Sequence, residues 1–252
     1  MRFRALLLAI LTTVSVSAIA GPFDEVTPCH DMAHLLDAGA AAEKAERQHP
    51  QDGPKSFCQA PPGTSGVQVC MRALTDKVDT NYIVSYEIDG KIMQRWTEEG
   101  FVLMDPFTSF TVESVDLGGQ GRVDTIIGVV ENVTADTGSE RWALYIVPPG
   151  GKTLIGPIDV DDYMSMSGLY RVSEREGCIL LASKWDLDSE PGRGEGTYIK
   201  GRFYALYGDK LGAVDGLPPV EHRLLDSFET AMSKAGSPFP WFKEPNTRIL
   251  GP

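Results

Sequence analysis

Three groups of residues in this chain have types and spacings that can do chemistry. Asp116 and Asp124 bracket Gly118, Gly119, Gln120 and Gly121. Carboxylates set close together around glycines free to take positive φ can wrap a hard cation such as calcium, and the Gln120 amide oxygen adds a third donor. The segment His30-Asp31-Met32-Ala33-His34 puts two imidazoles four residues apart. On a helix they share one face and can ligate zinc, with Asp31 placed to polarise a water. The third group, Asp186, Asp188 and Glu190, lies in the run D-L-D-S-E-P-G-R-G-E-G between two apolar stretches. A loop that long on a rigid scaffold suits recognition of a cation or a basic partner. Each group also has a plainer reading: a structural turn, a solvated helix face and a solvated loop.

The stretch F-T-V-E-S-V-D-L-G-G-Q-G-R-V-D-T-I-I-G-V-V-E, residues 110–131, resembles one FG-GAP repeat, the strand-loop-strand unit of integrin-type propellers. The loop of that family reads D-x-[DN]-x-D-G-x-x-D. Asp116, Gly121 and Asp124 match its first, sixth and ninth positions, while Gly118 and Gln120 replace two ligand positions. The resemblance implies a calcium loop with Asp116, Gln120 and Asp124 as its donors. Affinity follows ligand charge, so two carboxylates imply weak binding, and a turn held by its glycines is the favoured reading. No second segment repeats the pattern: Asp159-Val160-Asp161-Asp162 and Asp186-Leu187-Asp188 lack the glycine and the closing aspartate. A complete propeller would need such repeats.

The elements that must position these residues follow from periodicity. β-branched runs on both sides of the glycine turn predict a strand, a tight loop and a strand. Residues 82–88 and 91–97 flank Asp89-Gly90, the dipeptide that a type I′ hairpin demands. Further strands are expected over 101–104, 142–147, 168–172, 178–185 and 197–207. Thr27-Pro28 reads as the start of a helix carrying Met32, Leu35 and Leu36, and Pro219 as the start of another carrying Glu221, Leu224, Leu225, Phe228 and Met232. The proline-rich tail with Trp241 and Phe242 reads as docked. The chain is therefore expected to be mainly β, α+β at its edges: an antiparallel sandwich, partial barrel or propeller fragment with an N-terminal and a C-terminal helix. Its expected parts are a leader over 1–20, a disulfide-stapled helical module over 21–78 and a β-rich domain over 79–252.

Arg2 and Arg4 ahead of an apolar run ending in Ala18-Ile19-Ala20 predict a secretory signal peptide cleaved near Ala20, hence a secreted or periplasmic protein without a membrane span. Deducting the two leader arginines from the net charge of −12 gives −14. With no Lys/Arg cluster, that charge excludes nucleic acid and suits a cationic protein or envelope component. Cys29, Cys58, Cys70 and Cys178 form two disulfides in such a compartment. The spacing allows Cys58–Cys70 with Cys29–Cys178, or Cys29–Cys58 with Cys70–Cys178.

A Gly-x-Ser-x-Gly nucleophile motif is absent, and Met164-Ser165-Met166-Ser167-Gly168 departs from it. His222, on the expected C-terminal helix, is the base available outside the N-terminal module. The reading favoured is thus a non-catalytic binding or interaction protein that needs no cofactor, with Asp186, Asp188 and Glu190 as its recognition acids. The alternative is a metal-dependent hydrolase using His30 and His34.

Overall fold

The computed structural model describes residues 21–29, 56–74, 79–101, 110–133, 139–163, 165–173, 175–186, 197–224 and 240–251. It is mainly β, built as three antiparallel sheets. The first is a meander of β2 (Ser56–Gln59), β3 (Val67–Ala73), β4 (Asp79–Ile88) and β5 (Lys91–Phe101), and the second a meander of β6 (Phe110–Val115), β7 (Asp124–Val133), β8 (Glu140–Val147) and β9 (Ile155–Asp161). The third takes β1 (Val26–Pro28), β10 (Gly168–Val172), β11 (Ile179–Asp186), β12 (Tyr198–Tyr207), β14 (Val220–Arg223) and β15 (Thr247–Ile249) in that order, with β13 (Lys210–Ala213) also on β12. β12 divides its partners, pairing with β14 over 198–201 and with β13 over 204–207. One of the sheets curls into a half-barrel.

The middle sheet explains the stacking. T-I-I-G-V-V and W-A-L-Y-I-V are continuous apolar runs without polar alternation, so both faces of β7 and β8 have to be covered. Ile127, Val129, Ala143, Tyr145 and Val147 meet Val69, Met71, Tyr82, Val84 and Tyr86 of the first sheet. Their neighbours Ile126, Val130, Trp142, Leu144 and Ile146 meet Leu169, Leu180 and Leu206 of the third. Each fully buried Ile or Leu contributes about 1.5 to 3 kcal/mol. A third cluster, on the third sheet, has Phe242 packed on Tyr170 at 5.1 Å and on Phe203 at 5.3 Å between ring centres. The tail is docked there as expected, with Trp241 Nε1 donating to the Met166 carbonyl at 3.0 Å.

Neither terminal helix is found among the described residues. Among the described residues the one helical element is a 3-10 turn, Trp241–Lys243. Thr27 and Pro28 lie in β1, paired with Arg171 and Tyr170; proline is tolerated because β1 is an edge strand. The rest of that expected helix, and with it His30 and His34, lies outside the described residues. At the other end Glu221 and His222 lie in β14, between β12 and β15. Pairing on both edges overrides a helical apolar stripe read from 219 onward, of which Leu225, Phe228 and Met232 are also outside the described residues. β3 and β4 pair along seven positions across the boundary expected between 78 and 79. The disulfides are Cys29–Cys178 and Cys58–Cys70.

Candidate functional site

The β6–β7 loop is a junction between the middle and third sheets. Cys178 donates its N–H to the Asp116 carbonyl at 2.7 Å, Leu206 donates to the Leu117 carbonyl at 3.0 Å, and Gln120 Nε2 donates to the Leu206 carbonyl at 2.8 Å. Asp116 directs its side chain inward on its own loop. Oδ1 accepts the Gln120 N–H at 2.9 Å and Oδ2 accepts the Gly121 N–H at 2.8 Å. Close approach dictates the glycine at 119: with φ +71, a Cβ there would stand 2.1 Å from the Glu176 carbonyl oxygen. At Gly121 the constraint is φ +67 alone, since a Cβ would meet nothing within 4 Å.

Asp124 is fully buried. Its Oδ2 accepts the Leu117 N–H at 3.0 Å and its Oδ1 faces Arg122 Nε at 3.4 Å. The Arg122 guanidinium also reaches Asp209 Oδ1 at 3.4 Å and the Gly208 carbonyl. A cation thus sits where the oxygens of Asp124, Asp209 and Gly208 converge, and the chain itself supplies it. Burial pushes the Asp124 carboxyl up to about 6, opposed by the Leu117 N–H and by Arg122. Asp116, Gln120 and Asp124 are therefore brought into one loop, with Asp116 and the Gln120 amide nitrogen engaged in holding it to itself and to β12. Among the described residues no group of three or more His, Cys, Asp and Glu side chains converges as a metal cage would require.

Of the expected recognition acids, Asp186 is the last residue of β11, paired with Tyr198, and Asp188 and Glu190 lie outside the described residues. Asp186 Oδ2 stands 2.6 Å from Lys200 Nζ across the stem. The stem itself is fixed by two aspartates at the end of β9 that carried no recognisable motif. Asp161 Oδ2 accepts the Trp185 N–H at 2.7 Å, and Asp162 Oδ2 accepts Trp185 Nε1 at 2.6 Å. Asp162 Oδ1 also accepts the Glu140 N–H at 2.8 Å. Ser167 and Ser183 close the seam: Ser183 N–H donates to Ser167 Oγ at 3.0 Å, and Ser183 Oγ donates to the Met166 carbonyl at 3.1 Å. Burial raises both aspartates above the usual carboxylate range. The one signal in the sequence was the tryptophan three residues before Asp188, an aromatic whose indole N–H needs a partner once it is half-buried.

The remaining chemistry-bearing residues are engaged structurally. Ser167, in the segment compared with a nucleophile motif, is buried and donates to the Asp161 carbonyl at 2.8 Å. His222 is not on a helix surface: it is buried in β14, its Nδ1 lies 3.1 Å from Thr247 Oγ1, and burial lowers its pKa. Glu113, on the face of β6 toward the third sheet, accepts from the Tyr163 hydroxyl at 2.7 Å, and burial pushes it up to about 7. On the opposite face of the middle sheet the Tyr145 hydroxyl donates to Glu98. No protein-family model, no curated protein and no solved structure matches the chain.

Proposed function

We propose that this chain is a non-catalytic binding protein of an oxidising compartment, carried out of the cytoplasm by its first twenty residues. It would use the acidic 186–196 segment to recognise a cationic protein or envelope component. The observation that supports this most is the double anchoring of Trp185 by Asp161 and Asp162, at 2.7 and 2.6 Å. Two buried carboxylates hold the end of β11, from which the acidic segment leaves. Support of this kind suits a segment that carries recognition. Two disulfides fit the oxidising compartment. No helix among the described residues is long and apolar enough to cross a membrane.

The test is capture of partners from the cell envelope by the chain without its leader, compared with the D186N/D188N/E190Q variant. The wild type should retain a basic partner that the variant releases. Equal capture by both would remove the loop from the proposal. Calcium at the β6–β7 loop is a second reading, favoured by one observation: Asp124 Oδ1 is buried and accepts no hydrogen bond. An ion there would have to displace Arg122.

A further inference from the structure

The two disulfides differ in what a thiol can reach. Cys178 is 4% exposed within the core between the middle and third sheets, with Cys29 packed on the same cluster. The bond between them closes a span of 149 residues. Cys58 is exposed and Cys70 half-buried, and the two are direct register partners on β2 and β3. Val69 and Met71, on either side of Cys70, point into the core, so strand alternation puts the Cys58–Cys70 bond on the opposite, outer face of the first sheet. β2 is an edge strand of four residues. Among the described strands β3 is its sole partner, and a twelve-residue separation joins the cysteines.

We infer that Cys58–Cys70 is a thiol-exchange site, open in the folded protein to a dithiol reductant, whereas Cys29–Cys178 is structural and closed to it. Exposed disulfides are the ones that exchange, because the attacking thiolate needs a line to one sulfur. Here that sulfur is Cys58 Sγ. A thiolate of the dithiol bonds to Cys58 Sγ as the Cys58–Cys70 bond breaks, and Cys70 leaves as a thiolate that takes up a proton. The second thiol of the reductant, deprotonated, then attacks its own sulfur in the mixed disulfide. Cys58 leaves as the second thiolate and is protonated, and the reductant departs as a disulfide. Two electrons have moved from the dithiol to the cystine. The consequence is local. β2 loses its covalent tie to β3 and is then held there by its four register pairs alone.

The experiment is reduction of the native protein by dithiothreitol without denaturant, with timed alkylation, peptide mapping and circular dichroism in parallel. Cys58 and Cys70 should be alkylated at least about tenfold faster than Cys29 and Cys178 while the dichroism of the fold persists. Glutathione, a monothiol, should leave its mixed disulfide on Cys58 rather than Cys70. Reduction of both bonds together with loss of the dichroic signal, resistance of Cys58–Cys70 until denaturant is added, or an adduct chiefly on Cys70 would each overturn the assignment. The C58S/C70S variant guards against a misread. It should fold and resist further change in dithiothreitol, and failure to fold would show the bond to be structural.

Discussion

The two acidic segments draw their support from carboxylates in different places. In the β6–β7 loop the acids turn inward: Asp116 accepts from the loop's own backbone, and Asp124 is buried against Leu117 and Arg122. In the β11–β12 connection the inward work falls to Asp161 and Asp162 from a different strand, and the loop's own Asp186 meets Lys200 at a surface where Lys200 is 40% exposed. The lesson is that motif-like spacing marks the loop whose geometry is most demanding, which need not be the loop that meets a partner. Tight turns select glycine and aspartate for backbone reasons first.

The largest test of that contrast is a pair of glycine substitutions. Gly119→Val places a branched side chain against the Glu176 carbonyl at positive φ, and should cost about 3 kcal/mol or more by thermal or urea unfolding. Gly121→Val meets open space and should cost about 1 to 2 kcal/mol from backbone strain alone. Equal costs would mean that the loop does not press on the third sheet.

Asp124 offers a pH handle on the same junction. Burial raises its pKa from 3.8 to about 6, so its contribution is fully present below pH 3.8 and is lost as pH rises through about 6. Asp124→Asn should remove about 3 kcal/mol of pH dependence across that window, measured as the difference between the two unfolding curves. Glu113→Gln should do the same between pH 4.5 and about 7, since Glu113 lies at the same interface and is shifted in the same direction. A wild type whose stability rises through these windows, with the variants unchanged, would contradict the buried placement of both acids.

Smaller still is the response to calcium. With Arg122 in place, 1 mM calcium should add no more than about 0.4 to 1.4 kcal/mol, the range for dissociation constants of about 10⁻⁴ to 10⁻³ M. Arg122→Ala should enlarge the effect by freeing Asp124 and Asp209. A chelator effect on the wild type larger than that of Gly121→Val, and abolished by Asp124→Ala, would make the metal rather than the glycines the support of the turn.

Much of this was legible where local chemistry and tertiary context agree. Asp89-Gly90 gave its hairpin, with φ of +49° and +75° at the two residues. The 110–131 stretch gave its strand-loop-strand, and one of the two cysteine pairings allowed by spacing is the one found. Legibility failed where the sheet decides. β9 begins Ile-Gly-Pro, which reads as a break, yet the strand lies at a sheet edge where proline needs no partner. β14 is four residues whose conformation comes from β12 and β15 on either side. The Asp161–Asp162–Trp185 stem was hidden because its members come from two strands that pack without pairing.

The proposed recognition of a cationic partner by the 186–196 segment is tested most directly by the salt dependence of the association rate. With the captured partner, or with a lysine-rich peptide standing in for it, the wild-type rate should fall steeply as ionic strength rises through about 0.15 M, where screening acts over about 8 Å. The D186N/D188N/E190Q variant should associate more slowly, with a flattened dependence and an unchanged melting curve. An unchanged salt slope in that variant would contradict the claim.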